Sequence, residues 1–279
     1  MSNLNFIKKT FLLNLEKRKD KLNFMKFKLN NIGINNYEIV YGVDGSTNPE
    51  CEIMYQNYVN SLTDNDFIQN LNIPFIHKNT VFAIIKSFKF IFEKVLYYDD
   101  DDYILILEDD VIFNKKFNKY KLDFIYDVIY LGANQINFKK EMNKNYSLSN
   151  DNKYATYGMF SIIYKVSFIK EFYKDVLIDI YKLRMPIDYL LWNYITKNNI
   201  SNIVICPNLI IPNLLNSDNM PTRDQKKFSP LKGWKLSSYK FINLELQYYD
   251  LVKKYPREKK GKIDNFSYEL IYNIIDGNF

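Results

Sequence analysis

The sequence predicts an α/β fold in which helices flank a mostly parallel central sheet, and three observations support this. Short apolar runs typical of buried strands alternate along the chain with amphipathic segments typical of helices. The chain opens with a strand at Thr10–Leu15, a helix over residues 16–31 and a strand at Tyr37–Tyr41, which together make a βαβ unit. The 279 residues are 47% hydrophobic, which supplies enough apolar surface to build a core.

The spacing of apolar residues places the remaining elements. Apolar residues recur with helical spacing from Val81 to Val95, which is the clearest helix in the sequence. Tyr103–Leu107 is an uninterrupted apolar run, as expected for a parallel strand buried on both faces. Residues 46–78 contain one predicted element, a short helix near Asp64–Leu71. The other predicted elements are a helix around Lys115–Tyr126, a strand at Asp127–Gly132, an extended segment at Tyr157–Tyr164, helices at Ile169–Leu183 and Ile187–Asn198, and a short strand at Ile203–Cys206.

The chain is predicted to consist of an enzyme domain, residues 1–220, and a basic, partly helical extension, residues 221–279. The net charge is +6, and the last third of the sequence is rich in lysine and arginine with few acids between them. Two interpretations of this region stand. It is either a solvated basic surface, or a surface for peripheral contact with an anionic membrane, a nucleic acid or an acidic partner.

Cysteine content and hydropathy predict a cytoplasmic protein without a transmembrane segment. The two cysteines, Cys51 and Cys206, are too few for a disulfide framework, which fits a reducing compartment. Met1–Thr10 lacks the apolar core and the cleavage pattern of a secretory signal. The sequence also has no uninterrupted apolar run of roughly 18 residues, the length that a membrane-spanning helix needs.

Several familiar active-site patterns are missing from the sequence. The only histidine is His77, so a histidine-based catalytic triad or zinc site is not expected. Neither a GxGxxG nor a GxxxxGK[ST] phosphate loop occurs, which argues against a dehydrogenase and a P-loop NTPase. A bound diphosphate would therefore be held by a metal ion and by side chains.

An acidic triplet, Glu108-Asp109-Asp110, follows the buried strand at Tyr103–Leu107. Ligands of α/β sheets bind at the carboxyl ends of the parallel strands, so the triplet stands where chemistry is expected. Mg²⁺ and Mn²⁺ prefer oxygen ligands, and such an ion neutralises charge on a departing diphosphate. The triplet is therefore a candidate metal site, with a solvated acidic turn as the alternative. The neighbouring run Asp99–Asp102 precedes its strand and is predicted to be a solvated loop at the opposite edge of the sheet.

Several short segments also occur in a characteristic order over about residues 10–220. They are Leu12-Leu13-Asn14-Leu15-Glu16-Lys17-Arg18, Val43-Asp44-Gly45, Ile106-Leu107-Glu108-Asp109-Asp110, Asp127–Gly132, Tyr157–Ile163, Pro186-Ile187-Asp188 and Ser217-Asp218. Together they resemble glycosyltransferase family 25, which includes lipopolysaccharide-biosynthesis enzymes and collagen hydroxylysine galactosyltransferases. The match is to the family's INLxxR, AVDG, EDD, DxxYLG, YGTxAYII-like, P(I/V)D and SD motifs. The resemblance implies a GT-A-like nucleotide-sugar-binding fold, a UDP-hexose donor, usually UDP-galactose or UDP-glucose, a Mn²⁺ or Mg²⁺ ion, inversion at the anomeric carbon, and a saccharide or hydroxylysine-type acceptor.

The resemblance also implies roles for individual residues. Asp188 is the predicted general base, and its alternative role is to cap the helix that follows Pro186. Arg18 fits either a phosphate contact or a charge on a helix surface. The predicted metal ligands are Asp110, Glu108 and Asp218. The predicted contacts to the donor and its ion are Leu13, Asn14, Arg18, Asp44, Thr80, Glu108 and Asp109.

One departure from the family pattern lies in the helix that begins near Val81. Where the family commonly carries Gly-Cys-x-x-Ser-His, this chain reads Phe82-Ala83-Ile84-Ile85-Lys86-Ser87. That loss leaves a second hypothesis, a homologue that binds a UDP-sugar without turning it over. A third hypothesis, a nucleic-acid-binding protein, rests on the basic extension and the 24 tyrosines, although most of these tyrosines fall in core-like segments.

Overall fold

The structure, a computed structural model, describes residues 6–61, 79–113, 117, 120–122, 125–135, 145, 147–148, 156–205 and 208–212. The strands are β1 Ile7–Asn14, β2 Tyr37–Tyr41, β3 Tyr103–Glu108, β4 Val111–Phe113, β5 Val128–Tyr130, β6 Asn134–Gln135, β7 Thr156–Tyr157, β8 Ser161–Lys165, β9 Asn202–Val204 and β10 Ile210–Pro212. The α-helices are α1 Lys19–Asn31, α2 Pro49–Asn60, α3 Asn79–Val95, α4 Val166–Phe172 and α5 Ile187–Lys197.

The central sheet has six strands in the order β2-β1-β3-β8-β5-β9. Strand β1 pairs in parallel with β2 and β3, and β5 pairs in parallel with β9. Strand β8 lies between β3 and β5 and runs antiparallel to both. The sheet is therefore mixed but mostly parallel, and the predicted α/β fold class is confirmed. The carboxyl ends of β1, β2 and β3 meet at one edge, where ligands of such sheets bind.

Each face of the sheet is covered by its own hydrophobic core. The alternating side chains of β3 show the division, because Ile104 and Ile106 pack on the side of α3 whereas Leu105 and Leu107 pack on the side of α1. All four side chains are fully buried. Burial of an aliphatic side chain contributes about 1.5–3 kcal/mol, so β3 is firmly held along its length. Glu108, which follows Leu107, therefore lies at the edge of the core in a rigid position.

Helix α2 was not predicted from the sequence. The Asn48 side chain accepts a hydrogen bond from the Cys51 amide at 3.1 Å and Pro49 occupies the first helical position. Proline suits that position because its missing N–H would have no partner in the helix. Pro49 therefore marks the start of α2. The short helix predicted near Asp64–Leu71 lies outside the described residues.

The helix predicted around Lys115–Tyr126 is wrong at residues 120–122 and 125–126, which are not helical, whereas Phe117 has 3-10 helical geometry. Strand β4 pairs antiparallel with β10, and the Phe117 ring packs 5.1 Å from that of Phe113. This pairing joins segments that are far apart in sequence. Long-range pairing of this kind overrides a local helical pattern.

Two other segments are more divided than their patterns predicted. The extended segment Tyr157–Tyr164 consists of the end of β7 and most of β8, separated at Gly158, whose φ is +99°. The helix predicted from Ile169 to Leu183 is α4 followed by a π-helical turn at Tyr173–Leu177 and a 3-10 turn at Ile180–Lys182. The predicted domain boundary at residue 220 and the basic extension lie outside the described residues. Among the described helices, none combines the length and apolar character that crossing a membrane requires.

Candidate active site

The acidic turn, Glu108-Asp109-Asp110, lies at the carboxyl end of β3 beside the end of β1. Leu13 of β1 is in register with Glu108 of β3, which brings the next residue, Asn14, beside Asp109. The Asn14 Nδ2 atom donates hydrogen bonds to Asp109 Oδ2 at 2.7 Å and to the Arg18 carbonyl at 3.2 Å. Asn14 is 1% exposed. Two segments predicted to form the site are therefore joined by a direct side-chain contact.

Lys21, which was not among the predicted site residues, lies between two of these carboxylates. Its Nζ atom is 3.3 Å from Asp109 Oδ1 and 3.2 Å from Asp110 Oδ2. The three side chains are only 11–12% exposed, so solvent screens these ion pairs weakly. The sequence held a usable signal, since a lysine in the first turn of the helix after β1 must lie near the carboxyl edge of the sheet.

Burial raises the pKa values of Glu108 and Asp109 towards neutral pH. Burial, reinforced by the charges of Asp110 and Asp109, raises the pKa of Glu108 to about 8, and Lys21 only partly opposes the rise. Burial also raises the pKa of Asp109 to about 6 in spite of the nearby Lys21 ammonium. One ammonium thus compensates the three acids incompletely, and additional positive charge would be stabilised at this turn.

The oxygen atoms of the turn suit a hard divalent ion. Asp110 Oδ1 and Asn14 Oδ1 are both buried and have no hydrogen-bond partner. Such oxygens are the ligands that Mg²⁺ and Mn²⁺ prefer. Within the described part of the chain, however, no three acidic, histidine or cysteine side chains converge on one ion position. The donor chemistry fits, and joint coordination requires the side chains to rearrange around Lys21. Asp218 lies outside the described residues.

The loop after β2 reaches the same edge of the sheet. The Gly42 amide donates to the Asn14 carbonyl at 2.8 Å, and Lys17 Nζ is 2.5 Å from Asp44 Oδ2. Burial opposes ionisation of Asp44, but hydrogen bonds from Lys17 and Ser46 outweigh it and lower its pKa. Asp44 is therefore a charged acceptor close to the end of β1.

Arg18 has a carboxylate partner of its own. Its Nε and Nη2 atoms donate to the two carboxylate oxygens of Asp20 at 3.1 and 3.2 Å. The Arg18 side chain is nevertheless only 11% exposed. Arg18 was predicted to be either a phosphate contact or a charge on a helix surface. The geometry shows a local ion pair at the start of α1, with the guanidinium partly buried near the edge that carries the acidic turn.

Helix α3 holds the loop after β2 in place, despite its departure from the family motif. The Val43 amide donates to Ser87 Oγ at 2.8 Å, and the Ser87 hydroxyl donates to the Ala83 carbonyl at 2.7 Å. Gly45 lies so close to the helix that an added Cβ would stand 2.6 Å from the Cα atom of Thr80. The Thr80 hydroxyl oxygen is buried without a hydrogen-bond partner. Ser87 therefore keeps α3 in contact with the loop after β2.

Leu13 contributes packing to this edge. A Cβ on Gly42 would stand 3.0 Å from Leu13 Cδ1 and 3.0 Å from Ser87 Oγ, so the three residues are in close contact. Leu13 is partly buried against the core on the side of α3. Leu13, one of the predicted contacts to the donor, thus presents an apolar surface beside the loop after β2.

Asp188 lies in the first turn of α5 and is buried. Its carboxylate accepts a hydrogen bond from the Tyr189 amide at 2.9 Å and further bonds from the backbone amides of Gly158 and Asp188 itself. Burial raises the pKa of Asp188 and outweighs these amides, which favour the charged form. The Asp188 charge also helps to raise the pKa of Glu108, so the two acids are electrostatically coupled. These contacts suit the predicted proton acceptor. The alternative role as helix cap is wrong, because Pro186 is the N-cap of α5 and Asp188 is the second helical residue, whose carboxylate accepts from an amide of the first turn.

Comparison with known protein families decides the class to which this fold belongs. The family described as glycosyltransferase family 25 (LPS biosynthesis protein) matches residues 7–185, which is more than half of the chain. The chain belongs to glycosyltransferase family 25. A search of curated proteins finds no significant match.

Family membership makes the protein a glycosyltransferase with an α/β glycosyltransferase fold. The matched stretch contains β1, the loop after β2, α3 and the acidic turn, which are the segments that meet at the carboxyl edge of the sheet. Asp188 lies just beyond it, in the first turn of α5. A glycosyltransferase needs a sugar donor and an acceptor, and this edge carries the partly buried acidic turn.

Proposed function

We propose that this family 25 glycosyltransferase transfers a hexose, galactose or glucose, from a UDP-sugar to an acceptor hydroxyl with inversion at the anomeric carbon. The observation that carries the proposal is the acidic turn at the end of β3, held against Asn14 and charged beyond what Lys21 compensates. Parallel strand ends of this kind are where α/β folds bind nucleotides.

A Mn²⁺ or Mg²⁺ ion is part of the proposal, with Asp110, Glu108 and Asp109 as its ligands from the described residues and Asp218 as a further candidate. When bound, such an ion neutralises charge on the leaving diphosphate. The unpartnered oxygens Asp110 Oδ1 and Asn14 Oδ1 support this assignment, because a buried acceptor without a partner costs about 1–3 kcal/mol and a cation would satisfy it.

Asp188 is proposed as the general base. In a single displacement, the acceptor oxygen forms a bond to the anomeric carbon while the bond from that carbon to the diphosphate oxygen breaks. The acceptor proton must leave as this happens, and a base raised in pKa by burial accepts it more readily than an exposed aspartate. General-base catalysis of this type contributes about 10²–10⁴-fold in rate.

The donor is proposed to lie along the edge formed by β1, β2 and α3. Asp44, charged and held by Lys17, suits hydrogen bonding to the ribose or uracil of UDP. Arg18 is an apt partner for the diphosphate, since a guanidinium binds phosphate oxygens through two parallel hydrogen bonds. The Thr80 hydroxyl oxygen, buried and unpartnered, is a further candidate donor contact.

The acceptor is proposed to be a saccharide or a hydroxylysine-type hydroxyl. The low cysteine content fits a reducing compartment, so the proposal places the reaction in the cytoplasm. The basic extension, residues 221–279, is proposed to give peripheral contact with anionic surfaces, such as those that carry lipid-linked saccharides.

A donor screen tests the proposal. Purified protein is incubated with a panel of UDP-sugars, with Mn²⁺ or with a chelator, and released UDP is measured. Release from UDP-galactose or UDP-glucose that depends on Mn²⁺ supports the proposal, and NMR of the glycosidic product then reads the anomeric configuration. UDP binding without release would favour the inactive homologue instead. Nucleic-acid binding that falls steeply with salt would favour the third hypothesis.

A further inference from the structure

Lys21 occupies an unusual position for a helix-surface lysine. Its side chain is 11% exposed, and its ammonium lies within 3.3 Å of oxygens from both Asp109 and Asp110. The two carboxylates are adjacent in sequence, so the ammonium stands between consecutive side chains of one turn. That is the position that a bridging cation would take.

The remaining oxygens of this cluster are not equally satisfied. Asp109 Oδ2 accepts from Asn14 Nδ2 at 2.7 Å, whereas Asp110 Oδ1 and Asn14 Oδ1 are buried without partners. Asn14 is 99% buried, so water does not readily replace the missing partner. A single ammonium thus neutralises part of the cluster and leaves oxygens that a second cationic ligand would bind.

We propose that Lys21 is the resident cation of the acidic turn and that its ammonium leaves Asp109 and Asp110 when a divalent ion binds there. This inference rests on the proposed function. Lys21 is a positioning residue in this account, because it acts through the two carboxylates. It holds them together in the absence of the ion and sets the ion concentration at which they exchange partners.

Displacement follows from the short distances involved. An ion such as Mg²⁺ lies about 2.0–2.1 Å from the oxygens that bind it. An ammonium that kept its present contacts would then stand within a few ångströms of the ion, and the repulsion between two cations is strong in a partly buried site. The released ammonium remains on α1 beside the edge where the donor diphosphate is proposed to bind. Binding of ion and donor would therefore be coupled through Lys21.

Mn²⁺ affinity in the absence of nucleotide tests the inference. It is measured by the EPR signal of free Mn²⁺ in wild type, Lys21→Met, Lys21→Arg and Lys19→Met. Methionine removes the charge but keeps an unbranched side chain that helices accept. Lys19 is an exposed residue at the start of the same helix, so Lys19→Met changes the net charge equally without touching the acids. Thermal unfolding followed by circular dichroism checks that each variant is folded.

The expected result is that Lys21→Met binds Mn²⁺ at least about tenfold more tightly than wild type, since a neighbouring charge shifts the pKa of a carboxylate by about 1–3 units. Lys21→Arg and Lys19→Met should stay close to wild type. Binding that appears only in Lys21→Met would overturn the inference, because the wild-type ammonium would then exclude the ion and not leave for it. Equal or weaker Mn²⁺ binding in a folded Lys21→Met protein would overturn it. Failure of the proposed function would show separately, as wild type that neither binds UDP nor releases it from a UDP-sugar.

Discussion

Replacing Glu108 with glutamine should change how the stability of the protein depends on pH. The pKa of Glu108 lies near 8 instead of 4.5, so between these values the folded state holds a proton that the unfolded state has lost. Stability therefore falls as pH rises from about 4.5 to about 8 and levels off above that. Glutamine resembles the protonated acid in shape and does not ionise, so Glu108→Gln removes this contribution.

The size of the effect follows from the two pKa values. Each pH unit between them corresponds to about 1.4 kcal/mol, which gives about 5 kcal/mol for an isolated group. Glu108 titrates together with Asp109, whose pKa is also raised, and the two share the effect. We therefore expect Glu108→Gln to be more stable than wild type by about 2 kcal/mol at pH 8.5, and equal to it near pH 4.5.

Urea unfolding of both proteins at intervals between pH 4.5 and 9, without added metal, measures the difference. The matched control is Asp99→Asn, which makes the same chemical change at an exposed residue before β3. The free energy of unfolding of Asp99→Asn should change with pH in the same way as that of wild type. If the free energy of unfolding of Glu108→Gln also changed with pH in the same way as that of wild type, the claim that burial raises the pKa of Glu108 would be refuted.

Three further substitutions test the geometry. Gly132→Ala should destabilise the protein by about 3 kcal/mol in urea unfolding, because its Cβ would stand 1.7 Å from the Ile210 carbonyl oxygen; unchanged stability would contradict the placement of β10. Ser87→Ala removes the acceptor of the Val43 amide and should cost about 1–3 kcal/mol while raising the KM for the UDP-sugar; an unaltered KM would separate α3 from donor binding. Asp188→Asn keeps an acceptor for the amides of the first turn of α5 and should lower kcat by about 10²–10⁴-fold with the fold intact, whereas an unchanged kcat would reject Asp188 as the general base.

The segments around the candidate site were the best predicted parts of the fold. The apolar run Tyr103–Leu107 forms β3, and the helical spacing from Val81 to Val95 lies within α3. Both elements are buried over most of their length, so their sequence patterns reflect direct packing on the core. Where burial decides structure, periodicity is informative.

The errors arose where distant parts of the chain meet. Pairing of β4 with β10 joins residues about one hundred positions apart, and no local pattern near Lys115–Tyr126 shows it. The antiparallel strand β8 inserts between β3 and β5, although its apolar run resembles that of a parallel strand. The β4–β10 pairing and the position of β8 depend on tertiary packing, which local sequence propensity determines only weakly.

The predicted site residues included the acids, Asn14 and Arg18, but not the two lysines that pair with the acids. Asn14 and the acidic turn were chosen because they follow strands, and their contact agrees with that reasoning. Lys21 lies in the first turn of the helix after β1, which indicates its edge of the sheet, but the carboxylates that Lys21 and Lys17 pair with depend on side-chain direction, which the sequence does not display. The predicted roles of Asp110, Asp188 and the other site residues stay predictions until they are tested.

UDP release by Asp110→Asn tests the central claim most directly. Wild type, Asp110→Asn and the exposed control Asp99→Asn are compared at saturating UDP-sugar over a range of Mn²⁺ concentrations, with folding checked by circular dichroism. The account predicts Mn²⁺-dependent release by wild type and Asp99→Asn, and loss of that dependence together with most of the turnover in Asp110→Asn. Turnover by Asp110→Asn at the wild-type rate, with the same response to Mn²⁺, would contradict the claim that the acidic turn binds the ion that serves the leaving UDP.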